Sequence, residues 1–354
     1  MSGSWLSRTR WRASVLLLLC LLPLVAQAWP ACVDPRCALA AMAVSPVHQL
    51  AYWQVALQRP LAARIGPAPP EVVDYIRLDN LHGGLAKKPQ TSAPDAALSA
   101  DLHAVVESLP AGLKARLQQR LAGIYLADHV GSTGYTELVR DAGGRAVAAF
   151  IVLDAGTLRD RTANGWATWK ENTPFQPAAD FQLRADIEPP TQDNRRNALQ
   201  YILLHEIGHV LSAGGDLVPS WHIVPYVPDV VQRYRFTRLS WQWGSQQQWL
   251  VLPGDDFAER RDVVYYQQAR LPAAAMVPVY RHLQACSFVS LYGATNPYDD
   301  FAEAFASYVH VVLLHKPYSI RIYRQGQLQL SYGSCWGQPR CAAKQALLEQ
   351  MLAN

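Results

Sequence analysis

The chain has 354 residues, half of them hydrophobic, and a formal net charge of +4. Three arginines and no acid lie within the first 28 residues, so the remainder carries only +1. That balance excludes a nucleic-acid binder or a polybasic membrane anchor, each of which needs a concentrated cationic surface.

The first 28 residues read as an export signal. Arg8, Arg10 and Arg12 give a positive start, residues 15–25 an apolar stretch, and Ala26-Gln27-Ala28 a small-residue cleavage site. The apolar stretch is short and broken by Pro23, so no stable membrane insertion is expected once it is removed. The expected location is periplasmic or secreted. Of the six cysteines, Cys20 leaves with the signal and five remain. In an oxidising compartment the simplest pairing is local, Cys32 with Cys37 and Cys335 with Cys341, leaving Cys286 free.

Residues 29–96 read as a mostly helical extension, with a helix over 71–81 and a linker of sequence KKPQTSAPDAA at 87–97. Residues 97–354 form the main domain. Helices are predicted over 98–109 and 113–121, followed by strands at 123–126, 134–140 and 146–153. The last of these, AVAAFIVL, is a continuous apolar run of buried-strand length. Its edge is the expected place for an extended peptide to add. Residues 181–187 alternate and read as a half-buried strand, and residues 318–323 and 327–332 flank Gln325-Gly326 as a hairpin. Strands leading into helices predict an α+β fold.

Between these lies His205-Glu206-Ile207-Gly208-His209, the H-E-x-x-H pattern. Residues four apart share one helix face, so both imidazoles can reach one metal ion, while Glu206 can reach a water beside it. The flanking residues are apolar nearly all round, so the helix is buried and its polar groups need partners. The helix ends at Gly214-Gly215, which removes the third histidine of an H-E-x-x-H-x-x-G-x-x-H site. His222 follows that glycine break among prolines and reads as a loop residue.

The remaining source of a third ligand is a carboxylate from a second helix. The pentapeptide DDFAE occurs twice, at 255–259 and 299–303. Glu259 is followed by Arg260, Arg261 and Asp262, a solvated pattern, whereas Glu303 is followed by a run of apolar residues. Asn296-Pro297 supplies a helix start ahead of the second copy. Glu303 is therefore the expected ligand. Asp299 and Asp300 are expected to favour the helix N-terminus, or to accept the outward N–H of His205 or His209.

HEIGHVLS followed downstream by SLYGATNPYDDFAEAFASYV resembles the gluzincin metallopeptidases, in particular the lethal-factor-like catalytic domain and related exported bacterial zincins. The resemblance covers roughly residues 98–316 and implies an insertion at about 216–285. It implies Zn2+ held by His205, His209 and Glu303, with Glu206 as general base and a peptide or protein as substrate. A tyrosine that stabilises the oxyanion is also implied; Tyr292 and Tyr298 both qualify by neighbourhood, Tyr292 first. The expected function is that of a zinc endopeptidase. The alternative is a non-catalytic zincin scaffold that binds peptide or envelope components around a structural zinc.

Overall fold

The apolar run at 146–153 becomes the middle of the larger sheet. In the computed structural model, which describes residues 32–93, 95–221 and 231–353, the chain opens with helices α1 (Pro35–Ala43) and α2 (Leu50–Gln58), strand β1 (Ile65–Pro67), helix α3 (Pro70–His82) and strand β2 (Gln90–Thr91). Helices α4 (Ala96–Ser108) and α5 (Ala111–Arg120) precede strands β3 (Leu121–Asp128), β4 (Gly134–Arg140) and β5 (Ala146–Asp154). Then come α6 (Ala155–Leu158), α7 (Ala163–Asn172), β6 (Phe181–Asp186) and α8 (Arg195–Ser212). The second half holds the β7 (Trp241–Trp243) and β8 (Trp249–Val251) hairpin, α9 (Met276–Leu283), α10 (Pro297–Ser307), β9 (Ser319–Arg324), β10 (Gln327–Gly333) and α11 (Ala342–Ala353). This is a mixed α and β architecture with a helical N-terminal region. The expected signal segment and His222 lie outside the described residues.

The larger sheet runs β1-β3-β5-β4, with β2 on the same edge of β3 as β1. Strands β1, β3 and β5 are parallel, and β4 returns antiparallel to β5. β5 is buried along most of its length and has β3 on one side and β4 on the other, so its edges are both taken. The outer strand on this side is β4, not the expected 146–153 segment. The second sheet, β10-β9-β6, is antiparallel, and its hairpin turns on Gln325 and Gly326 at φ +50° and +78°. Two successive positive φ values match the right-handed twist of the strands they join.

Residues Cys32–Asn354 form one compact unit. The segment before residue 96 lends β1 to the sheet, and Trp53 of α2, 2 % exposed, lies against Phe150 with ring centroids 5.0 Å apart. Both expected disulfides are formed, Cys32–Cys37 and Cys335–Cys341, and Cys286 is free and buried. No helix among the described residues is long and apolar enough to cross a membrane.

Two helices, α8 and α10, carry the residues singled out in the sequence. α8 begins at Asn194, whose Oδ1 accepts from the Asn197 N–H at 3.0 Å, and is buried on nearly every side. It crosses α10 at Gly208, where an added Cβ would lie 2.8 Å from the Ala302 Cα. Glycine at that position lets the two backbones approach closely enough for side chains of both to meet. α10 begins as read: Asn296 Oδ1 accepts from the N–H groups of Tyr298 and Asp299 at 3.0 and 2.9 Å, and Pro297 takes the first helical position. Beyond Ser307 the helix widens into one π turn, Tyr308–Leu313. The first DDFAE copy forms no α-helix: Asp255 accepts from the Ser287 N–H and hydroxyl at 2.7 Å, and Glu259, in the short 3-10 turn Ala258–Asp262, meets His282 at 2.9 Å.

Candidate metal centre

The α8–α10 crossing brings His205, His209 and Asp299 together as the group able to hold a metal ion among the described residues. The two Nε2 atoms are 3.2 Å apart, and Asp299 Oδ1 lies 3.5 Å from that of His205 and 3.4 Å from that of His209. Four donors placed tetrahedrally at about 2.0–2.1 Å from one ion stand about 3.3–3.4 Å from each other. The three edges therefore suit a zinc-sized cation, and three protein donors leave a fourth position for water or substrate. The other oxygen of Asp299 is held by Asn296 Nδ2 at 2.5 Å. The helix cap thus also orients the carboxylate one turn inside it.

Glu303, expected at the metal, sits on the opposite side of His205. Its Oε1 lies 3.0 Å from His205 Nδ1 and accepts from Lys170 Nζ of α7 at 2.9 Å. Glu303 and Lys170 are 1 % and 4 % exposed. The two carboxylates occupy the reverse of the expected positions: the aspartate faces the paired Nε2 atoms, and the glutamate faces the outward nitrogen. Asp300, the other first-turn acid, points away and is bound by Lys344 Nζ and Trp241 Nε1.

The charges are mutually adjusted. Burial opposes a charged His205 ring, but Asp299 and Glu303 outweigh it and raise its pKa to about 10. Burial likewise opposes both carboxylates, yet His205 and His209 hold Asp299 well below its usual range, and Lys170 and His205 do the same for Glu303. Without a metal the site keeps a proton on His205, and a metal competes with that proton for Nε2.

Glu206, 5 % exposed, does not belong to the donor triangle. Its Oε2 accepts from the Thr136 hydroxyl of β4 at 2.6 Å. At Gly134 of the same strand an added Cβ would stand 2.2 Å from Glu206 Oε1, so the missing side chain makes room for the carboxylate. Glu206 is held by the outer strand of the sheet, and the donor triangle is carried by the two helices.

A cleft opens over the triangle, walled by Ser132, Tyr135, Trp221, Asn296 and Tyr298. Behind it lies a smaller, tight cavity lined by Thr133, Trp166, Lys170 and Tyr266. Tyr292 borders both. Its ring stacks on His205 with centroids 5.6 Å apart and has Lys170 Nζ 4.5 Å from its centre. Burial, then the nearby Asp299, push the Tyr292 phenol well above its ordinary pKa, so it stays a donor. Tyr298 lies farther along the cleft wall, where Trp249 Nε1 donates to its hydroxyl at 3.4 Å. Tyr266 lines the inner cavity with φ +61°, a strained backbone conformation for a bulky residue. Thr136, Gly134 and Lys170 border the candidate site without any sequence motif marking them, and Asn296, read as a helix cap, also holds Asp299.

No protein-family model, curated protein or solved structure matches the chain. Function rests on the chemistry of the site.

Proposed function

We propose that the chain is a zinc-dependent endopeptidase, exported to an oxidising compartment, with His205, His209 and Asp299 as metal ligands and Glu206 as general base. The observation that carries this is the donor triangle with a separately held carboxylate beside it. The resemblance to the gluzincins supplies the reaction type; Asp299 in place of a ligating glutamate is a departure from it. The two disulfides suit the compartment.

When bound, the zinc ion supplies Lewis acidity, which acidifies a water and polarises a carbonyl. Glu206 takes the proton of the attacking water and passes it to the leaving amine. Thr136 fixes one carboxylate oxygen, and Gly134 leaves the other its space. The Tyr292 phenol donates to the developing oxyanion. Glu303 orients His205 from behind, the usual task of a carboxylate on the outward nitrogen. An extended peptide pairs with the first half of β4, the strand that also holds the base, since the far end at Leu138 and Arg140 is taken by His48 and Gln49. A protein that only binds peptide has no physical need for Glu206 in this position.

The test is cleavage of a peptide library by the purified mature chain. Hydrolysis is expected to stop on chelation and to return with added zinc. Cleavage that survives complete metal removal would overturn the proposal.

A further inference from the structure

α10 carries two carboxylates one turn apart, and both touch His205: Asp299 at Nε2 and Glu303 at Nδ1. Helix geometry alone does not decide which of them faces the metal, because residues i and i+4 lie on the same face. The difference between them is their remaining partners. Asp299 is tied to Asn296, a neutral amide, while Glu303 is tied to Lys170, a cation 133 residues away in sequence.

From this we infer that Lys170 decides which carboxylate ligates the metal. The inference rests on the proposed metal site and goes beyond it. Lys170 is enclosed: its Nζ is 2.9 Å from Glu303 and 3.8 Å from Glu171, and it stands over the rings of Tyr292 and Trp166 at 4.5 and 5.6 Å. A buried carboxylate is strongly destabilised without a cation beside it. Lys170 supplies that cation on the α7 side, so Glu303 is satisfied away from the donor triangle. Among the described residues, Asp299 has no lysine or arginine within ion-pair distance, only the two imidazoles, and so is left to the metal. Lys170 is a positioning residue.

The inference makes an unusual demand on a double variant. Zinc affinity, and the visible absorption of the cobalt-substituted protein, are measured for Lys170→Met, Asp299→Ala, Glu303→Gln and Lys170→Met/Asp299→Ala. Methionine keeps an unbranched stem in the Trp166–Tyr292 enclosure, and circular dichroism with thermal melting verifies folding. Glu303→Gln is expected to weaken zinc by about 10–100-fold and leave the cobalt spectrum little changed. Asp299→Ala is expected to lose far more. Adding Lys170→Met to Asp299→Ala is expected to recover about tenfold or more, because Glu303 now has no cation but the metal. Lys170→Arg/Asp299→Ala, which keeps the cation, is expected to show no recovery. If the folded double variant binds no better than Asp299→Ala, or if Asp299→Ala binds zinc as wild type does, the inference is wrong. Should the folded double variant not form, Lys170→Met alone decides: an unchanged cobalt spectrum and affinity would overturn it. A wild-type chain that binds no zinc or cobalt would instead remove the metal reading beneath it.

Discussion

Replacing Gly134 with alanine separates the base from the metal. The backbone there lies outside the left-handed region, so alanine brings no conformational strain. Its Cβ would, however, stand 2.2 Å from Glu206 Oε1, 2.8 Å from Cδ and 3.0 Å from Cγ. Ordinary contact begins near 3.4 Å, so the carboxylate must retreat by about 1.2 Å. That movement costs the 2.6 Å bond to Thr136 or its alignment. A misplacement of about 1 Å at a reacting group lowers the rate about 100-fold, close to 3 kcal/mol of barrier. Nothing in the donor triangle is touched, so zinc content should stay at the wild-type value. The melting temperature should fall modestly, since the buried carboxylate loses its hydrogen bond and alanine's smaller unfolded-state freedom offsets only part of that. The assay is kcat for a cleavable peptide, with zinc content and melting temperature measured on the same preparation. A folded, zinc-loaded Gly134→Ala protein hydrolysing at the wild-type rate would refute the placement of Glu206 as the base.

Other consequences can be checked separately. Tyr292→Phe should lower kcat about 100-fold with zinc affinity little changed, as expected for loss of one oxyanion donor; an unaltered kcat would move that role to another phenol. Because His205 is raised to about 10 in the metal-free site, zinc binding at pH 7.5 should release about one proton, and affinity should fall as the pH is lowered. Calorimetry in buffers of different ionisation enthalpy measures that proton, and buffer-independent heats would contradict it. His310 is fully buried, its Nε2 donates to the carbonyls of Ile187 and Pro317, and burial lowers its pKa from 6.5 to about 4. The unfolded chain takes up that proton first, so its contribution is complete above pH 6.5 and is lost as the pH falls toward 4. Between pH 6.5 and 5 the loss should be about 2 kcal/mol more in the chelated wild type than in His310→Gln. Equal losses by urea titration would show that His310 is not responsible.

Much of the scaffold was legible because it is set by local chemistry. The cap at Asn296, the proline after it, the apolar run of β5 and the glycine turn of the last hairpin each act through neighbours in sequence. The two disulfides closed over short loops as their spacing suggests. The site was legible as far as α8: the H-E-x-x-H spacing places both imidazoles on one face whatever surrounds them. What lay beyond reach depends on distant partners. The apolar flank of Glu303 correctly marked a buried helix, but burial says nothing about which oxygen faces which nitrogen. The partners that hold the two carboxylates are Lys170, a residue in a helix with no motif, for Glu303 and an amide of the cap for Asp299. Thr136 and Gly134 were hidden for a similar reason, since the position of β4 at the sheet edge follows from pairing order and not from its composition.

The most direct measurement of the central claim compares wild type with Glu206→Gln, recording zinc per chain and peptide cleavage on the same samples. The account predicts one zinc per chain in both proteins and cleavage in wild type alone. Full cleavage by Glu206→Gln, or a wild-type chain with no affinity for zinc, would contradict it.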